Sequence, residues 1–162
     1  MLILNDDGPQ IASFLGDGVS AFLHNSRHLN PSAVALYSSP VNGWISLCVD
    51  TVDHGAAPQT NCPDFSYPEY RLLELPRWAE EYGCDHPTVQ RHDRSVQRLG
   101  PDDGDDDYNE AFYLLLMKIS NDHYHHDSGV FRPQWAGVQI LDSKFASFWR
   151  VNRPTRNPQP LS

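Results

Sequence analysis

The chain has 162 residues, of which 40% are hydrophobic and 20% charged, and its formal net charge is −9. This length suits one domain with a proper core, and the composition argues against intrinsic disorder. No apolar run approaches the roughly 20 residues that a transmembrane helix needs. Because two acidic residues follow the short apolar start at 2–4, we expect no signal peptide. The three scattered cysteines, Cys48, Cys62 and Cys84, suit a reducing compartment, so we expect a cytoplasmic protein.

The negative charge is unevenly distributed along the chain. Residues 101–127 contain eight acidic residues and one basic residue, whereas residues 128–162 contain one acidic and five basic residues. Direct nucleic-acid binding is disfavoured, because phosphate contacts need Lys and Arg. An acidic surface would instead steer a basic protein partner toward the molecule. The alternative, that the acidic residues merely keep the protein soluble, stays open at this point.

The first two elements are a helix and a hairpin. A proline after two acidic residues predicts a helix over 9–24, in which apolar residues recur at helical spacing. Two apolar segments, 33–37 and 44–49, flank a turn-forming stretch and predict an antiparallel hairpin. One predicted face is apolar and carries Val34, Leu36, Ile45, Leu47 and Val49. The other is mixed, expected to be partly wet, and carries Ala33, Ala35, Tyr37, Trp44, Ser46, Cys48 and Asp50.

The middle of the chain predicts a third strand over 65–73, and Pro68 indicates that this strand lies at a sheet edge. Alternation assigns one face of it to Phe65, Tyr67, Glu69, Arg71 and Leu73, and the other to Tyr70 and Leu72. A short helix over 76–82 follows. Residues 86–99 show only a weak helical spacing of apolar residues at Val89, Val96 and Leu99.

The last third predicts one long helix and extended segments. Asp107 and Glu110 have the spacing of a capping box, which predicts a helix over 108–120. Residues 131–140 are extended, and 142–151 fit a strand or a helix, with the strand favoured. The whole is an α+β fold: an antiparallel sheet of about four to six strands with helices packed on one face. We expect a single globular domain over 1–152 and a flexible proline-rich tail over 153–162.

A histidine cluster offers one possible chemistry. His123, His125 and Asp127 could ligate zinc, and the string resembles the H-x-H-x-D portion of metallo-β-lactamase-type hydrolases. It departs from that pattern at Ser128, where a further histidine is expected. The alternative is a polar helix C-terminus, where His is favoured by the helix dipole. We favour the alternative and expect no metal site.

Other catalytic motifs are missing from the sequence. The acidic run that begins at Asp103 fails the EF-hand pattern, because Tyr108 and Leu114 occupy the positions of the required Gly and Glu. There is no nucleophile elbow, dinucleotide-binding loop or Walker loop. We therefore expect a protein that is not an enzyme and that needs no cofactor.

Residues 35–40 (ALYSSP), 42–47 (NGWISL) and Asp50-Thr51 resemble the small cytosolic immunity proteins of bacteria. Those proteins are encoded beside polymorphic toxins that contact-dependent or type VI secretion systems deliver. The segments 62–65 and 73–78 are similar in layout, so the resemblance covers roughly residues 33–82. It implies a protein that binds a cognate toxin C-terminal domain, such as a basic nuclease, and occludes the active site of that domain.

The resemblance carries no catalytic residues, so the candidate contact residues come from charge and aromatic content. The first group contains Asp102, Asp103, Asp105, Asp106, Asp107, Tyr108 and Glu110. The second group contains Trp44, Asp50 and Asp53. Two other functions stay open: a small metal-dependent hydrolase that uses the histidine cluster, and a non-enzymatic adaptor or chaperone.

Overall fold

The computed structural model describes residues 1–126 and 129–151, which contain three α-helices and eight β-strands. The helices are α1 (Gly8–Asn25), α2 (Pro76–Tyr82) and α3 (Asp105–His126). The strands are β1 (Leu2–Ile3), β2 (Ala33–Ser39), β3 (Trp44–Asp50), β4 (Tyr67–Glu74), β5 (Thr88–Gln90), β6 (Val96–Arg98), β7 (Trp135–Ile140) and β8 (Ala146–Arg150). The tail predicted to be flexible, 153–162, lies outside the described residues.

Two sheets organise the fold. The larger has the strand order β4-β3-β2-β7-β8, and the smaller has the order β1-β5-β6. The predicted α+β class is confirmed, but the larger sheet is mixed rather than antiparallel, because β2 and β7 pair in parallel. The chain reaches β7 only after α3, and such a crossover allows a strand to return in the same direction.

The predicted hairpin is confirmed as β2 and β3. Its register places Val34 opposite Val49 and Leu36 opposite Leu47, so these side chains share one face. Val34, Leu36 and Leu47 belong to the main hydrophobic core, together with Leu15 of α1 and Leu116 of α3. Removing this much apolar surface from water is the main source of stability. The placement of all helices on one face of the sheet stays a prediction.

The second face of the hairpin is more buried than the sequence predicts. Ala33, Ala35 and Cys48 are buried there in a separate cluster with Cys62 and Phe65. The irregular segment between β3 and β4 folds back over these small side chains, so the expectation of a wet face is wrong for this half of the hairpin. The other half, around Trp44, stays partly open.

Strand β4 lies at the edge of the sheet, as Pro68 predicts, but its faces differ from simple alternation. The register between β3 and β4 shifts between Leu47 and Val49. Between these two pairs β4 has three residues, 68–70, whereas β3 has only Cys48, so β4 bulges by two residues. The bulge changes the faces of residues within it, such as Tyr70, while Tyr67 beyond it stays on the face of Arg71. As a result Tyr67 and Tyr70 both pack against Phe22 of α1.

The weak helical spacing over 86–99 does not correspond to a helix, because this segment forms the β5–β6 hairpin. Its turn is fixed locally: Arg94 has a positive φ of 71°, and the Asp93 carboxylate accepts hydrogen bonds from the N–H and hydroxyl of Ser95. Val89 is buried whereas Val96 is 58% exposed, so these apolar residues do not share a helical face. A tight turn therefore overrides the periodicity.

Helix α3 begins earlier and ends later than the sequence predicts. It starts at Asp105, so Asp107 lies inside the first turn and does not cap the helix. Three aspartates in the first turn interact favourably with the positive end of the helix dipole. The extension to His126 makes the predicted histidine cluster helical.

Candidate partner-binding surfaces

The acidic segment of the sequence forms an exposed surface. Asp102 and Asp103 precede α3, and Asp105, Asp106 and Asp107 form its first turn. All five side chains are exposed to solvent. We call these five residues the acidic surface.

Three of the five carboxylates have structural contacts. Asp103 accepts a hydrogen bond from the N–H of Gly100 at 2.6 Å, and Asp105 accepts one from the Tyr82 hydroxyl of α2. Asp106 forms an exposed ion pair with Lys144 at 3.6 Å. These contacts hold the segment against α2 and against the turn between β7 and β8. A partner would therefore meet an arrangement of charges that is already ordered.

Two further residues predicted for this surface differ from its five exposed aspartates. Tyr108 is only 1% exposed, and its hydroxyl donates to the carbonyl of Trp78 at 2.5 Å. The prediction of Tyr108 as a contact residue is therefore wrong, because its side chain lies in the core. Glu110 forms an ion pair with Arg91 at 2.8 Å, so its charge is largely compensated within the molecule.

The acidic surface lies at the same end of the larger sheet as Trp44. The Asp106–Lys144 ion pair connects it to the turn that follows β7, which ends at Ile140. Ile140 is opposite Ser38, near the end of β2, and Trp44 begins the adjacent strand β3. One end of the sheet therefore presents both exposed acids and a partly exposed tryptophan.

Trp44 forms part of an open pocket of about 330 Å³, which we call the Trp44 pocket. The rings of Tyr37 and Trp44 meet edge to face, with centroids 5.5 Å apart and an interplanar angle of 72°. The remaining wall includes Pro63, Pro68, Glu69 and Leu72. Leu72 is 47% exposed, so the pocket opens onto the edge of the sheet.

Two carboxylates influence this pocket. Glu69 lines it directly, and no ion pair of Glu69 occurs among the described residues. Burial raises the pKa of the Tyr37 hydroxyl above its ordinary value, and Cys62 and then the charge of Asp142 raise it further. The Trp44 pocket therefore has largely apolar walls and one charged lining residue, Glu69.

The sequence predicts only part of this pocket. Alternation places Tyr37 and Trp44 on one face, which the structure confirms. Alternation also assigns Glu69 to the face opposite Leu72, whereas the structure places both in the pocket. The bulge in β4 is responsible. It contains Pro68, but proline is typical of both edge strands and bulges, so this residue alone does not predict the bulge.

Asp50 has a structural role instead of the predicted contact role. It is 1% exposed and accepts hydrogen bonds from the Ser66 hydroxyl at 2.7 Å and the Val52 N–H at 3.3 Å, while His54 Nε2 lies 2.9 Å from its other oxygen. Burial alone would raise the pKa of this carboxyl, but the hydrogen bonds from Ser66, Val52 and His54 together lower it. Asp50 thus ties the end of β3 to the following loop.

We expect the variant Asp50→Asn to lose stability in a pH-dependent way. Because the folded state lowers the pKa of Asp50, the carboxylate stabilises the fold above the unfolded pKa of about 4, and this contribution disappears as pH falls through the folded pKa. At pH 7 the free energy of unfolding of the variant should be about 1–3 kcal/mol lower than that of the wild type. Denaturation at a series of pH values from 7 to 2.5 measures the difference.

The exposed residue Asp17 supplies the control, since Asp17→Asn should change the unfolding free energy little at any pH. A gap between Asp50→Asn and the wild type that stays constant down to pH 2.5 would contradict the assignment of Asp50.

Asp50 and Asp53 also lie far from Trp44. Asp50 and Trp44 are the two ends of β3, which at about 3.3 Å per residue places them roughly 20 Å apart. Asp53 borders a different groove, of about 580 Å³, that contains Arg132 and Arg150. The predicted second group of contact residues is therefore divided between opposite ends of the sheet.

The two described members of the histidine cluster, His123 and His125, do not converge on one point. Residues two apart on an α-helix point about 200° away from each other, so His123 and His125 face different directions. His123 lies beside Gly16 of α1, whereas His125 is exposed. Asp127 lies outside the described residues. Within residues 1–126 and 129–151 no group of three or more potential ligands is suitably placed to hold a metal ion.

No protein-family model matches the chain, and no curated protein and no solved structure shows significant similarity to it. Among the described residues, none of the helices combines the length and the apolar character needed to cross a bilayer.

Proposed function

We propose that this protein is an immunity protein: it binds a cognate secreted toxin domain in the cytoplasm and blocks the active site of that domain. The observation that carries the proposal is the presence of the acidic surface and the Trp44 pocket at one end of the sheet. The resemblance of residues 33–82 to such proteins points in the same direction. In this proposal the protein acts by binding alone.

The two features suit different stages of binding. Exposed carboxylates attract a basic partner over a distance and raise the association rate, although each contributes only about 0–1 kcal/mol to affinity. Aromatic side chains in a partly enclosed pocket supply most of the binding energy after contact, because Trp and Tyr dominate interface hot spots. A protein that presents both features favours a rapid and tight complex.

The charge of the acidic surface also indicates what kind of toxin it opposes. A nuclease domain needs Lys and Arg to hold phosphates, so its active-site cleft is positively charged. Carboxylates that enter such a cleft occupy the path of the phosphate backbone. We therefore propose a basic nuclease domain as the partner.

Co-expression with the toxin domain tests the proposal. The probe is the C-terminal domain encoded by the gene directly upstream of the one for this chain. We expect that domain to stop cell growth alone, and this protein to restore growth and to copurify with it as a defined complex. Growth arrest that this protein does not relieve, with no complex formed by the purified domains, would refute the proposal.

We expect the variant Asp102→Asn/Asp107→Asn to associate more slowly with that toxin domain. Among the described residues, the side chains of these two exposed acids form no hydrogen bond or ion pair. Asp107→Asn removes only a favourable interaction with the helix dipole, of about 0.3–1 kcal/mol. The loss should be largest near 0.01 M salt, where the screening length is about 30 Å, and small at 0.15 M, where it is about 8 Å. Stopped-flow mixing at several salt concentrations measures the association rate.

The matched control is Asp17→Asn/Glu80→Gln, which removes the same charge from exposed positions outside the acidic surface. Its association rate should stay closer to that of the wild type. Equal rates for the two double variants at low salt would show that net charge matters and that the acidic surface does not.

A further inference from the structure

The Trp44 pocket combines two features that recognise a cation. The faces of aromatic rings carry partial negative charge and attract positively charged groups within about 6 Å. Tyr37 and Trp44 both line the pocket, and their rings meet at 72°. Glu69 adds a formal negative charge to its lining.

A purely apolar occupant fits this pocket less well. It would leave the exposed Glu69 carboxylate without a partner, and any water that it displaced from this group would cost free energy. No basic side chain of the described residues lines the pocket to offset that cost. A cationic occupant removes the penalty, because the carboxylate then has a partner.

We propose that the Trp44 pocket binds an arginine side chain of the partner protein. The guanidinium group is planar and stacks on aromatic rings, while its N–H groups donate paired hydrogen bonds to a carboxylate. Its aliphatic stem suits the apolar wall formed by Pro63, Pro68 and Leu72. The volume of about 330 Å³ is at the lower end of the roughly 300–1,000 Å³ found for small-molecule sites, which suits a single side chain.

This inference extends the proposed function, from which it takes its partner, and it gives the two surfaces separate roles. The acidic surface accelerates the encounter, whereas the pocket holds one arginine after contact and slows dissociation. Replacing Glu69 should therefore change mainly the dissociation rate, unlike the removal of Asp102 and Asp107.

A peptide titration tests the pocket without any toxin. The probes are acetylated, amidated Gly-Xaa-Gly peptides in which Xaa is arginine, its neutral analogue citrulline, or leucine. The signal is the indole N–H of Trp44 in a ¹⁵N-labelled NMR spectrum, assigned by its disappearance in Trp44→Phe. We expect the arginine peptide to shift this signal with a dissociation constant in the millimolar range, and at least five times more tightly than the other two.

The variant Glu69→Gln should weaken binding of the arginine peptide by about tenfold, because it removes the charge-assisted hydrogen bonds. Glu69 is exposed on an edge strand, so the fold should survive the change. The matched control Asp17→Asn removes one exposed charge elsewhere and should leave the titration unchanged. Equal binding of citrulline or leucine peptides, or an unchanged affinity in Glu69→Gln, would overturn the inference.

The two proposals fail separately. If the arginine peptide does not bind but the upstream toxin domain does, only the assignment of the pocket is wrong. If the peptide binds at Trp44 and the toxin domain forms no complex, the pocket assignment survives and the immunity function fails.

Discussion

Leu47→Asp should abolish the folded state. Leu47 is completely buried in β3, and a Cβ atom added at Gly18 of α1 would lie 2.4 Å from its Cδ2 atom, which shows how closely the helix approaches this side chain. A carboxylate at this position would be removed from water without a partner, at a cost of several kcal/mol. That cost is comparable with the whole stability of a domain of this size. Circular dichroism, followed at 25 °C as denaturant is added, should show no cooperative unfolding transition for the variant.

Leu72→Asp is the matched control, because it makes the same chemical change in the same sheet at a side chain that is 47% exposed. Its unfolding free energy should stay within about 0.5 kcal/mol of the wild type. If Leu47→Asp melts within a few degrees of the wild type, the conclusion that α1 packs tightly against Leu47 is wrong.

Trp78→Ala should cost about 3–5 kcal/mol of stability, the range found when a buried aromatic side chain is truncated. Trp78 of α2 is fully buried, its ring lies 4.5 Å from that of Phe112, and its indole N–H donates to Asp7 at 2.8 Å. The truncation leaves a cavity and also removes a partner from the Asp7 carboxylate. The melting temperature should fall by about 6–20 °C, which calorimetry measures directly.

Trp78→Phe separates the two contributions, since it keeps most of the ring volume and removes only the donor to Asp7. It should be less destabilising than Trp78→Ala, and adding Asp7→Asn to it should cost less than Asp7→Asn does alone. Additive losses from the two changes would contradict the importance of the hydrogen bond between them.

Patterns in the sequence predict the parts of this fold that depend on residues close together in the chain. The β2–β3 hairpin is encoded by alternation and turn residues within 18 positions, and the division of its residues between two faces agrees with the pairing in the structure. The edge position of β4 follows from Pro68 because proline lacks an N–H to donate. The parallel pairing of β2 with β7 has no such local signal, so the sequence gives no warning that the sheet is mixed.

The candidate binding residues show the same contrast: properties set by the residue itself are predicted, and those set by distant partners are not. The exposure of Asp102 to Asp107 follows from their charge, because unpaired carboxylates are rarely buried. Tyr108 and Asp50 are mispredicted because tyrosine and aspartate also occur in cores when hydrogen-bonded, and their partners, Trp78 and Ser66, are distant in the chain. Glu69 is missed because one register shift changes its face.

The pairing of β2 with β7 has a consequence for synthesis on the ribosome. β2 and β3 can pair as soon as both have emerged, but the other edge of β2 has no neighbour until β7, about a hundred residues later, has been made. During that interval the nascent chain presents an unpaired edge with a strongly apolar face, which is a hazard for aggregation. Completion of the sheet therefore depends on the last part of the chain, and a protein truncated before Trp135 would leave the central strand uncovered.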